Sequence, residues 1–237
     1  MENGVNGSGV FKTIAIIPAR GGSKRIPHKN IKDFCGKPIL AYSIEAAIKS
    51  GVFDEVMVST DDEEIAKVAE KYGAKIPFQR SNYTSGDYAT IQDVVVEVLE
   101  NYKNKRKQYD GYCCIYAAAP FVTAEQLREG NKLLYEQDTW KVVPIVRFSY
   151  PPQRSYVLKS GYLSWNWPEY KSTRSQDLEP WYHECGSFFY CRTINKNQIE
   201  RVVPLIISET EVQDIDTEED WRVAEFKYKY LNKSKDN

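Results

Sequence analysis

The sequence predicts an α/β fold built on a doubly wound, mostly parallel sheet. Three observations point there: short β-branched runs that read as buried strands, amphipathic stretches of helical period between them, and a basic, glycine-containing loop directly after the first run. Residues 13–18 (TIAIIP) form the first such strand, ended by proline. The next stretch, KPILAYSIEAAIKSG, is helical: Pro38 suits a first turn, Gly51 a C-terminal cap, and Leu40, Ile44, Ala47 and Ile48 make one apolar face.

A second strand is expected at 55–59 (EVMVS). Thr60 to Glu63 then reads as a capping box opening a helix that carries Ile65, Val68, Ala69 and Tyr72. Helical spacing returns at 91–102, the apolar run YCCIYAAA at 112–119 reads as a buried strand, and Thr123 to Gln126 is another capping box. A strand at 141–146 follows. Residues 150–182 hold eight aromatics without a sustained period, the mark of an inserted hairpin or arm that packs on something else, such as a second subunit. Regular signals resume at 186–192 and 203–207, and a last helix starts at the box of Thr217 to Asp220 and runs to about Leu231. The expected organisation is a tail over 1–11, a single domain over 12–232 with its arm at about 150–185, and a tail over 233–237.

Composition narrows the function. With 42% hydrophobic and 27% charged residues the chain is globular, and a net charge of -1 supplies no basic field for nucleic acid. The opening residues lack a signal core and no apolar stretch approaches the roughly 20 residues of a membrane span, so a cytoplasmic protein with no membrane partner is expected. Five cysteines without C-x-x-C spacing fit free thiols in a reducing compartment. Two histidines argue against a histidine-rich zinc site, and no G-x-S-x-G elbow is present. His183 reads as a wall or surface residue rather than as a nucleophile's base.

Two segments carry chemistry. The first strand runs into Pro18-Ala19-Arg20-Gly21-Gly22-Ser23-Lys24-Arg25, then Lys29-Asn30. Ligand crevices of open α/β sheets lie at the carboxyl ends of strands, where this loop begins. Two glycines allow close approach of an anion, Ser23 adds a hydroxyl, and Arg20, Lys24, Arg25 and Lys29 can neutralise a triphosphate. The loop matches neither the Walker phosphate loop nor the dinucleotide fingerprint. The second segment is Gln213-Asp214-Ile215-Asp216-Thr217, where period-two spacing puts Asp214 and Asp216 on one face with Ile215 turned inward. Two hard oxygen ligands suit Mg2+, which takes one or two carboxylates plus phosphate oxygens. Alone, the pair is better explained by the start of the helix at Thr217; coupled to a basic phosphate loop, the metal reading overtakes it.

The segments IIPARGGSKRIPHKN and FCGKP, then TRSQDLEP and QDIDTEEDW, in that order, resemble the CMP–nonulosonate synthetases over residues 12–230. The resemblance implies a Rossmann-like nucleotidyltransferase fold, CTP and an acidic nine-carbon sugar as partners, Mg2+ as cofactor with Mn2+ able to replace it, and a homodimer built through the arm. It implies nucleotide contacts from Ala19, Arg20, Gly21, Gly22, Ser23, Lys24, Asn30, Arg80 and Asp87. Asp214 and Asp216 become metal ligands, while Arg20, Lys29 and Asp216 become the catalytic set. Sugar contacts fall to Tyr116, Arg154, Arg174, Gln176 and His183.

Where sialic acid members carry Q-P-T-S-P, this chain has Ala117-Ala118-Ala119-Pro120-Phe121, which with YPPQR at 150–154 and NWPEY at 166–170 resembles the pseudaminic acid branch. N-acetylneuraminic and legionaminic acids are the sibling substrates. A catalytically silent scaffold on the same fold is the other class, disfavoured by the intact loop and aspartate pair. The implied reaction is displacement at the α-phosphorus of CTP by the sugar's anomeric hydroxyl, with pyrophosphate leaving. Whether a second Mg2+ or Asp216 assists the hydroxyl is left open by the sequence.

Overall fold

The computed structural model describes residues 11–136, 139–193 and 201–233; the expected terminal tails lie almost wholly outside them. Along the chain come β1 (Thr13–Pro18), β2 (Asp33–Phe34), β3 (Lys37–Pro38), α1 (Ile39–Ser50), β4 (Glu55–Ser59), α2 (Glu63–Lys71), α3 (Asn82–Ser85), α4 (Ile91–Asn104) and β5 (Gly111–Ile115). Then follow α5 (Ala124–Tyr135), β6 (Lys141–Arg147), β7 (Tyr156–Lys159), β8 (Tyr162–Trp165), β9 (Tyr182–Glu184), β10 (Phe188–Arg192), β11 (Val202–Ile206) and α6 (Glu218–Lys233).

Among the described residues the central sheet has seven strands in the order β11-β6-β10-β5-β1-β4, with β9 also pairing β6. β1, β4, β5, β6 and β11 run one way; β9 and β10 run against them. The sheet is therefore mostly parallel, as the strand–helix alternation requires.

Alternation along β1 explains the layering. Ala15 and Ile17 point into a core shared with Leu40 and Ile44 of α1, Ile65 of α2 and Leu127 of α5. Ile14 and Ile16 point the other way, against Val94, Val95, Val98 and Tyr102 of α4. A strand buried on both faces needs a continuous apolar run, and TIAIIP supplies it. The chain leaves β1 over one face through α1 and reaches β5 from the other face through α4. β1 lies between β4 and β5, and the loops after β1 and β5 leave together from the carboxyl edge of the sheet, where a crevice opens.

Three local expectations are corrected. Helix α2 is capped by Asp62, whose Oδ1 accepts the N–H groups of Glu64 and Ile65, and not by Thr60; Thr60 Oγ1 instead accepts the Asp62 N–H at 3.1 Å. Pro38 closes β3 and caps α1 from outside its first turn. The run 112–119 is strand only to Ile115; Ala117 and Ala119 are buried by packing, not by ladder pairing. The boxes expected at Thr123 and Thr217 form as reciprocal hydrogen bonds, and the structure adds one at Thr90.

A third cluster, Ile26, Phe34, Ile39, Tyr42, Ile215, Trp221 and Ala224, clamps α6 and the 214–216 segment against the base of the loop that follows β1. The Phe34 ring meets Tyr42, Trp221 and Tyr228 edge-on, each at 5.5 Å. The stretch 150–182 forms the expected arm: a β7–β8 hairpin and single turns, with Tyr150, Leu158, Tyr162 and Leu163 largely exposed. All five cysteines are free, and no helix among the described residues is long and apolar enough to cross a membrane.

Candidate active site

The loops at the carboxyl ends of β1 and β5 enclose a cleft of about 520 Å³, closed on the far side by Gly186, Asp214 and Asp216. Arg20, Ser23, Lys24, Arg25 and Lys29 line one wall, with Arg80, Asp87, Ala89, Thr90 and Ile91 beside them and Tyr116 to Ala118 as floor. The two segments that the sequence singles out thus meet across one space, although nearly two hundred residues separate them.

The loop after β1 is held from several sides. Ala19 is fully buried and its N–H bonds Ser59 O at 2.9 Å, so it builds the wall and does not line the cleft. The Gly21 N–H donates to Asp61 Oδ1 at 3.0 Å, which takes that amide away from a phosphate. A Cβ on Gly21 would stand 2.7 Å from Asp62 Oδ2, so only glycine lets the loop lie against the β4–α2 turn. Gly22 has open space around it. Asn30 is buried and gives its Nδ2 to Arg20 O at 3.0 Å, pinning the loop's curve.

Arg80 is the most informative cation. It is 7% exposed, lines the cleft, donates Nη2 to Thr84 O, and leaves Nε without a partner. Burial lowers its pKa, with Asp61 and Glu97 opposing. A buried guanidinium at the cleft wall carries a positive charge that its neighbours leave only partly matched.

At the opposite wall Ile215 is 1% exposed, which turns Asp214 and Asp216 together into the cleft, as period-two spacing requires. Asp216 Oδ1 takes Arg25 Nη2 at 2.6 Å, with Lys29 Nζ at 3.9 Å; Lys29 also donates to Ile215 O. Burial and then the like charge of Asp216 raise the Asp214 pKa, while burial lowers that of Lys29 against the pull of both aspartates. Gly186 adopts φ 61°, and a Cβ there would sit 3.4 Å from the Asp214 carboxyl carbon. That residue lies in a break between β9 and β10. Tyr190 faces Val142 and Glu184 faces Ile145, so six residues of one strand span three of β6. The break lets Asp214 reach the cleft, and sequence reasoning missed both it and Asp61. The Ser-Thr-Asp-Asp run closing β4 and the Cys-Gly-Ser before β10 were the available signals.

The residues assigned to the sugar divide. Tyr116 lines the cleft; Arg154, Arg174, Gln176 and His183 do not. Arg154 bonds Ser175 Oγ at 3.3 Å, Arg174 pairs with Asp177 at 2.8 Å, and the His183 ring packs 4.7 Å from Phe148. Gln176 lines a separate hollow with Phe148, Ser149 and Glu209.

Among the described residues no group of three or more His, Cys, Asp or Glu side chains is arranged as a closed metal cage. Two carboxylates on one face, with the rest of the sphere open toward a basic wall, are the donor set expected for a hard cation that shares its coordination with phosphate.

Comparison with known proteins gives this layout its place. Residues 14–148 match the family model described as cytidylyltransferase. The pseudaminic acid cytidylyltransferase of Campylobacter jejuni subsp. jejuni serotype O:2 is 40% identical over 94% of this chain and 99% of its own length. The CMP-N,N'-diacetyllegionaminic acid synthase of Legionella pneumophila is 32% identical over 91% of this chain and 95% of its own. In fold, a solved CMP:2-keto-3-deoxy-manno-octonic acid synthetase superposes with a TM-score of 0.66 at 17% identity, covering 94% of this chain and 99% of that one. The sheet order, the basic loop after β1 and near full-length relatives converge on one conclusion: the chain belongs to the cytidylyltransferase family of nucleotidyltransferases.

Proposed function

We propose that this enzyme transfers CMP from CTP to the anomeric hydroxyl of pseudaminic acid, releasing pyrophosphate, with Mg2+ (or Mn2+) held by Asp214 and Asp216. The observation that carries the reading is the lining of one cleft: Arg20, Lys24 and Arg80 on the side where Asp87 stands, Arg25 and Lys29 beside the two aspartates, and Tyr116 to Ala118 as floor. A nucleoside triphosphate fits that order with its phosphates on the loop and its α-phosphorus near Lys29. The metal, when bound, would screen phosphate charge and polarise the P–O bonds. The chain's own part is positioning and charge stabilisation. Arg20 and Lys29 stabilise the developing negative charge, and the Arg80 guanidinium adds positive charge beside the nucleotide.

Pseudaminic acid as acceptor is supported by the Campylobacter relative and by the apolar Ala117-Ala118 floor, which offers no side-chain polar contacts where hydroxyls and an amide would select another sugar. The exposed arm supports a homodimer in which Arg154, Arg174, Gln176 and His183 approach the sugar, and a cytoplasmic site of action goes with a chain in which no helix among the described residues is long and apolar enough to cross a membrane. Pyrophosphate release from CTP with pseudaminic, legionaminic and N-acetylneuraminic acids in parallel tests the whole reading. Release with pseudaminic acid in preference to the others is expected; release with none, or preference for another sugar, overturns it.

A further inference from the structure

The cleft holds its own counter-ions, and this has a consequence for nucleotide selection. Asp87 stands on the loop between α3 and α4 and bridges two cations of the facing loop: Oδ1 lies 3.3 Å from Arg20 Nη1, and Oδ2 lies 2.5 Å from Lys24 Nζ. Arg20 Nη1 also reaches Gly86 O at 3.3 Å. Two oxygens of one carboxylate on two phosphate-loop cations is the arrangement a phosphate group would take there. Nothing buries this bridge: Asp87 is 49% exposed at its side chain, Lys24 73%, and the neighbouring Tyr88 is fully exposed. A structural pair that shaped the fold would be enclosed; this one sits where the cleft opens, and an entering ligand meets it first.

We infer that Asp87 is an exchangeable internal anion: the phosphates of the incoming nucleotide displace it from Arg20 and Lys24, so that it sets the threshold of ligand charge that the loop accepts. The inference rests on the phosphate role of that loop and goes beyond it, because it makes Asp87 the group that substrate replaces and not a group that substrate contacts. A ligand with several phosphate charges compensates both broken ion pairs. A nucleoside with none leaves them intact, and binds without help or hindrance from Asp87. The same exchange works on the product side: when pyrophosphate departs, Asp87 returns to the cations and opposes its rebinding.

Asp87→Asn keeps the shape and removes the charge. Exposed ion pairs are individually weak, so two of them together predict a gain of about 3- to 30-fold in affinity for CTP and for inorganic pyrophosphate, with cytidine unchanged. Titration calorimetry of wild type and Asp87→Asn with CTP, pyrophosphate and cytidine, repeated at low and high salt, reads it directly. The gain shrinks as salt rises. Weaker CTP binding in Asp87→Asn would mean that Asp87 contacts the ligand, and unchanged affinity would mean that the pairs are incidental; either result overturns the inference. If wild type itself binds neither CTP nor pyrophosphate, the functional reading fails, and that outcome is distinct from the other two. A thermal melt of the variant checks that the loop change leaves the fold intact.

Discussion

Gly21→Ala tests how the loop after β1, the proposed phosphate site, is seated. A methyl group at this position would lie 2.7 Å from Asp62 Oδ2, 3.0 Å from its Cβ and 3.3 Å from its Cγ. Asp62 cannot swing aside freely, because its Oδ1 holds the N–H groups of Glu64 and Ile65 at 2.8 and 3.0 Å. Gly21 itself does not occupy a positive-φ conformation, so the backbone adds no strain of its own. Either Asp62 abandons the α2 cap, at about 0.5–2 kcal/mol, or the loop lifts away. Reduced freedom of the unfolded chain returns about 0.4–1 kcal/mol, so the net cost is at most about 1.6 kcal/mol and Tm falls by at most about 6 °C. Function is more sensitive: a displacement of the loop by an ångström lowers kcat/KM for CTP about 10- to 100-fold. Asp62→Gly removes the obstructing side chain while retaining a tolerated cap residue, at a few tenths of a kcal/mol. The double variant is therefore expected to recover most of the CTP activity that Gly21→Ala loses, measured by pyrophosphate release alongside a thermal melt. Full activity in Gly21→Ala alone, or a double variant no better than the single, refutes this account of the loop.

Asp216→Ala is expected to lower turnover by about 100-fold or more with the Tm little changed, and to weaken Mn2+ binding followed by titration calorimetry; near-normal activity removes the metal role. Arg80→Met removes the buried guanidinium and should raise KM for CTP about 10- to 100-fold with a smaller effect on the sugar, since a charged hydrogen bond is worth about 1.5–3 kcal/mol. Glu55 gives a pH signature. Burial would raise its carboxyl pKa, but hydrogen bonds from Tyr102, Lys107 and Lys75 outweigh this and hold it below the ordinary glutamate value. Its stabilisation is therefore present above that ordinary value and lost as pH falls through the lowered one. Glu55→Gln should cost about 1–3 kcal/mol at neutral pH and progressively less in acid, read from urea melts across that range; a pH-independent cost contradicts the ion-pair account. Deleting 155–178 should convert a dimer into a monomer by light scattering, and a monomeric parent protein rules out the arm's proposed role.

Much of this architecture is written in local pattern. β1, β4 and β6 follow from short apolar runs, and α4, α5 and α6 from capping boxes and apolar spacing, because backbone hydrogen bonding and one-sided burial act within a few residues. The departures have equally local causes. Thr60-Asp61-Asp62-Glu63 holds two overlapping caps, and Asp62 wins because Thr60 gives its carbonyl to the Arg80 N–H and its hydroxyl oxygen to the Asp62 N–H. The apolar run past Ile115 signals burial, which a strand and a packed turn share. Tyr116 turns away there, with its N–H on Ser187 O and its carbonyl receiving Ser43 Oγ.

The site was legible in the same uneven way. Asp214-Ile215-Asp216 declares its geometry through alternation alone, and the buried Ile215 bears that out. The partners of Gly21 and Asp214 come from elsewhere in the chain, Asp61 from the end of β4 and Gly186 from a break in an antiparallel strand, and no spacing rule encodes such meetings. The arm is the extreme case. Arg154 is satisfied by Ser175 across the arm, Arg174 by Asp177 three residues on, and His183 by Phe148 just past β6, and none reaches the cleft within one chain. Meanwhile Tyr150 and Tyr162 remain 88% and 78% exposed, a poor use of large aromatic surface unless something covers it. Sequence pattern can say that such a segment lacks a core of its own. Which surface completes it depends on assembly, and large aromatics left exposed on one chain are what the proposed dimer would cover.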